Sequence, residues 1–255
     1  MRTLQLRGTP AAANASPATP LPTLAIGRRD TLNRPLYFAA KRAIDLVLAS
    51  LLLVVLSPLM LLVAVAIKLD SHGPVFFAQE RVGVRRRSAR GRVHWEARTF
   101  PFLKFRSMVA GADQSPHEQH IRAFVRGQLR GAAGSSDAKF KMANDSRVTR
   151  VGRVLRRTSL DELPQLVHVL VGEMSLVGPR PVPLYEVAEY RESDAERLLA
   201  VPGITGLWQV SGRADVPFSE MVRMDREYIR KRSLWLDLKI LAATVPAVVS
   251  GRGAK

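Results

Sequence analysis

The stretch LVLASLLLVVLSPLMLLVAVAI, residues 46–67, decides how the rest of the chain is read. Only Ser50, Ser57 and Pro58 interrupt its apolar side chains. As one straight helix it is about 33 Å long, enough to cross a hydrocarbon core of about 30 Å. Two features weigh against a simple crossing. Both flanks are basic: Lys41 and Arg42 precede the run, and Lys68, Arg81, Arg85, Arg86 and Arg87 follow it. The positive-inside bias then puts both ends on the same side. Pro58 also removes a backbone donor and crowds the preceding turn, so a bend is expected there. Residues 46–56 and 58–67 are each about 16 Å long as helices, roughly one leaflet. A helix–break–helix that dips into one leaflet and returns fits both features. Ser57 and Pro58 form the break, and the Ser57 hydroxyl is placed to bond a backbone group freed there. On the residues alone a kinked spanning helix stays open beside it.

Outside this run the chain reads as one domain with appendages. Its 255 residues are ample for a sizeable core. A net charge of +17, from 39 Lys and Arg against 22 Asp and Glu, points to a polyanionic partner. Nucleic acid, anionic lipid headgroups and phosphorylated substrates all qualify. The absence of cysteine excludes disulfides, thiolate zinc sites and cysteine nucleophiles. Residues 1–35 are rich in Ala, Pro and Thr, lack a signal-peptide core and read as a disordered leader. Residues 36–70 are the membrane segment, and residues 71–255 the globular part. Gly73-Pro74 starts a turn that runs into a short strand, and residues 85–98 form a basic loop or hairpin. Residues 113–130 carry Ile121, Phe124, Val125 and Leu129 at helical spacing, and residues 131–137 read as a loop. Residues 234–249 form an amphipathic helix that bears Trp235 and either closes the core or lies in a membrane interface.

The chemistry gathers around Arg156-Arg157-Thr158-Ser159-Leu160-Asp161-Glu162-Leu163-Pro164 and Val177-Gly178-Pro179-Arg180-Pro181. Adjacent carboxylates within reach of several guanidiniums suit metal-assisted chemistry on a phosphate. Ser159-x-x-Glu162 is also a capping-box pattern, and on that reading Glu162 is structural. Pro164 favours a helix start near itself, which places Asp161 and Glu162 at the helix mouth. One carboxylate then ligates Mg²⁺ and the other is free to attack phosphorus. Arg180, between two prolines, is presented on a restricted backbone and suits bidentate phosphate binding. Arg156 and Arg157 precede the carboxylate pair, and Lys104, Arg106 and Arg147 are weaker candidates for the same task. The loop of residues 202–213 holds three glycines; Trp208 and Gln209 are candidates for a flat base, and Arg213 for a phosphate.

Together these segments resemble the bacterial sugar transferases, the monotopic phosphoglycosyl transferases that begin polysaccharide assembly. The motifs run in the family's order: Lys41-Arg42-x-x-Asp45, Ser57-Pro58, Gly73-Pro74-Val75-Phe76-Phe77, Gln79-x-Arg81-x-Gly83, Lys104-Phe105-Arg106-Ser107-Met108 and Asp145-x-Arg147-x-Thr149-x-x-Gly152. The Asp161-Glu162 block, the Pro-Arg-Pro turn, the 202–213 loop and residues 233–239 complete the set. The resemblance implies an α/β or α+β fold: a small cytoplasmic globular domain on a re-entrant membrane helix with interfacial amphipathic helices. It implies transfer of a sugar-1-phosphate from a UDP-sugar to undecaprenyl phosphate at the cytoplasmic face of a bacterial inner membrane. By position Asp161 matches the nucleophile and Glu162 the Mg²⁺ ligand, while Arg156 and Arg180 match phosphate-binding arginines. Membrane lipids are the expected surroundings, a second copy of the chain is a candidate partner, and nucleic acid is not expected. His168 stands where the family most often has Asn, and a neutral His can still donate or accept a hydrogen bond. Residues 85–98 and 111–144 look longer than in its smallest members, and the sugar, a lipid headgroup or a partner are their candidate contacts.

Two other function classes compete. A tethered nucleic-acid binder explains the charge, but the chain lacks any RNA- or DNA-binding signature, and aromatics make up only 6%. A non-catalytic adaptor of polysaccharide assembly leaves the intact Asp161-Glu162 and Arg180 without a purpose. The sugar itself is not legible from the sequence.

Overall fold

The computed structural model describes residues 34–89, 92–129, 140, 142, 145–212 and 216–250. The first element is a long helix, α1 (Pro35–Asp70), followed by the strands β1 (Phe76–Ala89) and β2 (Arg92–Phe105). Two helices come next, α2 (Ser115–Val125) and α3 (Arg150–Thr158), then a 3-10 turn (Leu160–Gln165) and α4 (Leu166–Val171). The short pieces β3 (Ser175–Val177), β4 (Val182–Pro183), α5 (Leu184–Val187), α6 (Glu192–Ala195), β5 (Gly203–Thr205) and α7 (Leu207–Ser211) lead to two final helices, α8 (Phe218–Lys231) and α9 (Leu234–Ser250).

β1 and β2 form the hairpin expected around residues 85–98, but a much longer one, with Phe76 opposite Phe105 and Ala89 opposite Arg92. β4 adds to the other edge of β1, antiparallel, with Arg81 opposite Pro183. β3 and β5 pair separately and parallel. The antiparallel sheet puts the fold on the α+β side of the expectation. Beneath the sheet, Phe100, Phe102, Leu166, Val169, Val177, Tyr228 and Ile240 make one buried cluster. Each large apolar side chain there contributes roughly 2 kcal/mol by leaving water.

α1 lies with one face against this body at both ends. Tyr37, Lys41, Asp45 and Ala49 recur every fourth residue, which keeps them on one side of a helix. Tyr37 and Lys41 both donate to Asp237 Oδ2 at 3.0 Å, and Asp45 accepts the Leu176 N–H at 3.0 Å. Arg42 donates to the Val169 and Leu170 carbonyls at 2.5 and 2.7 Å and so caps the end of α4. At the far end Val63 and Ile67 pack with Phe105 and Leu155. Asp45 and Val63 differ by 18 residues, about five turns at 3.6 residues each, so the two seats share a face. The opposite face, with Val47, Leu51, Val54, Val55, Leu61, Leu62 and Val65, is exposed. α1 is long and apolar enough to cross a membrane. The basic flank of residues 41 and 42 has a structural task that the charge rule did not foresee: it clamps α1 to the domain.

The expected break at Ser57-Pro58 is not an interruption. Helix runs without a gap from Pro35 to Asp70, with Pro58 inside it. Pro58 costs the helix one bond, the one its missing N–H would have given to the Val54 carbonyl. The Ser57 hydroxyl donates to that carbonyl at 2.8 Å. The orphaned acceptor is satisfied, so the chain has no reason to unwind. The leader falls outside the described residues up to position 33, and α1 begins at Pro35, where proline is preorganised for a first turn.

Asp237 receives three donors, Tyr37, Lys41 and Tyr228, the last at 2.8 Å. Asp237→Ala leaves a nearly buried ammonium and the Tyr37 phenol without their acceptor, while the Tyr228 hydroxyl keeps only the Val177 carbonyl at 3.2 Å. We expect a loss of about 3 kcal/mol, read as a drop in thermal midpoint in detergent, with Asp237→Asn falling between the two.

Candidate active site

Arg180 is positioned by backbone bonds on every side. Gly178 N–H donates to the Thr205 carbonyl at 2.9 Å, and Gly203 N–H to the Pro179 carbonyl at 2.8 Å. Arg81, reaching over from β1, donates to the Pro181 carbonyl at 3.1 Å and to Gln79 Oε1 at 2.8 Å. With prolines on both sides, the turn has little freedom left, which is what the sequence led us to expect.

Glu162 lies where this turn meets β2. Its Oε1 accepts from Arg180 Nη2 at 2.6 Å and from Lys104 Nζ at 2.8 Å. Its Oε2 has only a 3.4 Å contact to Arg180 Nη1. Burial would raise the Glu162 carboxyl, but the Arg180 guanidinium and Lys104 ammonium outweigh it and hold the group well below the ordinary carboxylate range. Burial lowers Lys104, against the pull of Glu162. Asp161, 7% exposed, has its Oδ2 3.8 Å from Lys104 Nζ. The guanidinium of Arg81 and the ammonium of Lys104 both lie over the Phe102 ring, at 5.2 and 5.4 Å from its centroid.

Two hollows meet at this point. A cavity of about 400 Å³ holds Asp161, Glu162, Lys104, Arg180, Arg81 and Arg156 in its wall. A second of about 320 Å³ is lined by Leu52 and Leu56 of α1, Leu163 and Leu166, and Leu241 and Val248 of α9. Ser159, Glu162 and Arg180 border both. A polar chamber for charge and an apolar groove beside α1 thus share a carboxylate–guanidinium wall.

The sequence-level candidates divide accordingly. Asp161, Glu162, Lys104, Arg156 and Arg180 come together as expected, and Arg156 has no ion-pair partner among the described residues. Arg106 borders the same cavity, but its guanidinium caps α1: it donates to the His72 and Ser71 carbonyls at 2.7 and 2.6 Å and to Ser71 Oγ at 2.9 Å. Gly73, at φ +118°, leaves room for that guanidinium, since a Cβ there would overlap it. Gln209 lies on the groove, not in the Asp161 cavity, and its Nε2 donates to the Ile204 carbonyl at 3.0 Å. Trp208 is a core residue, 4% exposed, packed edge-on against Phe140. Neither is free to stack on a base. Arg213 lies outside the described residues.

The capping-box reading fails. Ser159 is in the left-handed region at φ 59° and makes no side-chain cap; Asp161 and Glu162 sit inside the 3-10 turn rather than ahead of a helix at Pro164. The sharp reversal at Ser159, which ends α3, turns the two carboxylates away from a helix axis and toward the cavity. Sequence reading had quoted Gln79 and Arg81 without giving them a place in the site. The signal was present: Phe77, Gln79 and Arg81 alternate on β1 and share the cavity with Phe102 and Lys104 on β2.

His168 serves as a hydrogen-bonding link between β2 and the segment after α4. Its Nε2 accepts the Leu103 N–H at 3.1 Å, and its Nδ1 meets Glu173 Oε2 at 2.7 Å. A ring nitrogen that accepts carries no proton, so Nδ1–H donates to Glu173. The imidazole thereby fixes β2 one residue before Lys104.

As a metal test, no group of three or more His, Asp or Glu able to hold an ion occurs among the described residues. Mg²⁺ does not demand one, because it commonly takes one or two carboxylates and completes its shell with water and substrate phosphate. Glu162 Oε2, the less occupied oxygen, and the neighbouring Asp161 fit that requirement.

The bacterial sugar transferase family model matches residues 36–251. The exopolysaccharide production protein ExoY of Rhizobium meliloti (strain 1021) is 41% identical over 222 residues, 87% of this chain and 90% of that protein. The undecaprenyl-phosphate galactose phosphotransferase of Salmonella typhimurium (strain LT2) is 40% identical over 84% of this chain but only 41% of its own length. The UDP-glucose:undecaprenyl-phosphate glucose-1-phosphate transferase of Caulobacter vibrioides (strain ATCC 19089) is 39% identical over 92% of this chain and 74% of its own. The chain belongs to the bacterial sugar transferase family, and is a transferase.

Two outcomes follow from the site. Because Glu162 is depressed in the folded state, its contribution to stability is present above the ordinary value of 4.5 and lost as pH falls below it. Thermal midpoints measured from pH 7 downward should therefore decline more steeply for wild type than for Glu162→Gln, which starts lower because Lys104 and Arg180 have lost their counter-charge. For His168, Asn retains an acceptor for Leu103 and should keep transferase activity within about threefold, whereas His168→Leu orphans that N–H and should lose about tenfold.

Proposed function

We propose that this protein transfers a hexose-1-phosphate from a UDP-hexose to undecaprenyl phosphate, releasing UMP, as the first membrane step of exopolysaccharide or capsule assembly. The observation that carries the proposal is the shared wall: Glu162 and Arg180 border both the polar cavity and the apolar groove, and Asp161 and Lys104 line the cavity beside them. A water-soluble diphosphate and a polyprenyl chain need such a junction. The galactose and glucose transferases among the relatives support the substrate classes.

The reaction is proposed in two displacements. An Asp161 carboxylate oxygen attacks the β-phosphorus of the donor; the bond from that phosphorus to the bridging oxygen breaks, and UMP leaves with the oxygen. A phosphosugar–aspartate remains. A phosphate oxygen of undecaprenyl phosphate then attacks the same phosphorus, the bond to Asp161 breaks, and the carboxylate is restored. Arg180 and Arg156 bind phosphate oxygens, and Lys104 offsets charge beside Asp161. Glu162, with Asp161 beside it, would hold Mg²⁺, which when bound neutralises charge on the diphosphate.

The exposed apolar face of α1, together with Val167 and Val171 on α4 and Trp235, Leu238 and Val245 on α9, is the surface set in lipid. Both ends of α1 rest on one body, which fits an unbroken helix held in the cytoplasmic leaflet of the inner membrane with both ends on the same side rather than a crossing.

The test is UMP release from a set of UDP-sugars with Mg²⁺ in detergent, with and without undecaprenyl phosphate. A burst equal to the enzyme present without lipid, turnover with lipid, and neither from Asp161→Asn are the expected results. Release that requires lipid from the first turnover would replace the covalent route with a ternary one.

A further inference from the structure

Helix α2 belongs to residues 111–144, for which the sugar, a lipid headgroup and a partner are all candidate contacts on sequence alone. It forms one wall of the cavity that holds Asp161: Gln114, at its N-terminal boundary, His117 and Ile121 all line that space. The helix is firmly held. Arg122 and Arg126 both pair with Glu189, at 2.7 and 2.6 Å, and Phe124 is buried with Trp208 and Phe218. His117 is half-buried, packs edge-on to Tyr185 at 6.4 Å, and makes no hydrogen bond among the described residues. Burial, with Arg81 and His120 adding to it, holds its imidazole down at about 4, so at neutral pH it is an uncharged donor and acceptor.

The two-displacement reading, on which this inference rests, fixes the geography of the cavity. In-line attack by Asp161 expels UMP from the opposite face of the phosphorus. The lipid phosphate must then attack from the face that UMP left. The departing α-phosphate and the arriving lipid phosphate therefore use the same place in turn. The apolar groove reaches the cavity at Glu162 and Arg180, so that place is the groove side. The sugar, carried on the same phosphorus, is left the remaining part of the cavity. There the wall changes character: around Asp161 it offers cations suited to phosphate, and along α2 it offers neutral polar groups and Ile121, suited to the hydroxyls and apolar face of a pyranose.

We infer that α2 is the sugar-recognition element, with His117 hydrogen-bonding a hydroxyl of the donor sugar and Gln114 lining the same subsite. His117 and Gln114 are thereby specificity-determining residues of the transfer.

The experiment uses the full chain in detergent with UDP-glucose, UDP-galactose and their N-acetylamino counterparts, and reads kcat/KM for UMP release together with the inhibition constant of UMP. For His117→Ala, kcat/KM for the preferred donor should fall about three- to tenfold, the loss of one neutral hydrogen bond, and the preference over its epimer should shrink with it. The UMP inhibition constant should stay within about twofold. His117→Asn, which retains a donor and an acceptor, should recover part of the loss, and Gln114→Ala should shift the preference independently. If His117→Ala does not fold, as judged by its thermal midpoint, the Asn and Gln114 variants decide the matter on the same readouts. An inhibition constant that rises in step with the loss in kcat/KM would put His117 on the nucleotide side and overturn the inference; so would unchanged donor kinetics in every variant. If wild type releases UMP from no UDP-sugar, the transfer reading has failed and this inference falls with it, an outcome distinct from a working enzyme indifferent to α2.

Discussion

Glu162 accepts from Lys104 and Arg180 through a single carboxylate oxygen, and this contact ties together three stretches distant in the chain. β2 supplies the ammonium, the 3-10 turn the carboxylate, and the proline-bounded turn the guanidinium. None of the three charges can be left alone at this degree of burial, because an unpaired buried ion costs several kcal/mol. The hairpin, the reversal at Ser159 and the β3–β5 pair must therefore all be in place before the site exists. The same clasp leaves Asp161 beside an ammonium, and so sets the electrostatic surroundings of the proposed nucleophile.

Much of this was readable in the sequence because local chemistry and tertiary structure agree. The run of residues 46–67 needs no tertiary information to be recognised as helix, and Pro179 and Pro181 restrict Arg180 whatever surrounds them. The errors came where a local pattern has two outcomes and a distant partner chooses. Ser159-x-x-Glu162 reads as a cap, but Lys104, 58 residues away along the chain, claims the carboxylate. Arg106 looks like a phosphate ligand until the end of α1 arrives to use its donors. Gln209 looks like a base reader until the loop folds back and its amide staples Ile204. The position of His117 beside the site was illegible for the same reason, since nothing in residues 111–144 says which face of α2 meets the hairpin.

The membrane segment carries a different lesson about proline. A break was expected because Pro58 removes a donor in surroundings where no water replaces it. The structure answers with one hydroxyl at the preceding position, directed to the one carbonyl that Pro58 orphans. Helix continuity and a proline are compatible when the deficit is a single bond and the neighbour fills it.

The junction of cavity and groove also has a consequence for how the two substrates are counted. On the proposed reaction, the nucleotide sugar would arrive from solution, where its supply is a concentration per volume. The lipid would arrive sideways along α1 and α9, where its supply is a density per area. An enzyme whose two hollows open onto different phases responds to lipid as a mole fraction of the surface it sits in. Adding inert amphiphile then slows the second displacement with every bulk concentration held constant, while the first is untouched. The pace of the proposed second displacement would thus depend on the composition of the surface as well as on the catalytic groups.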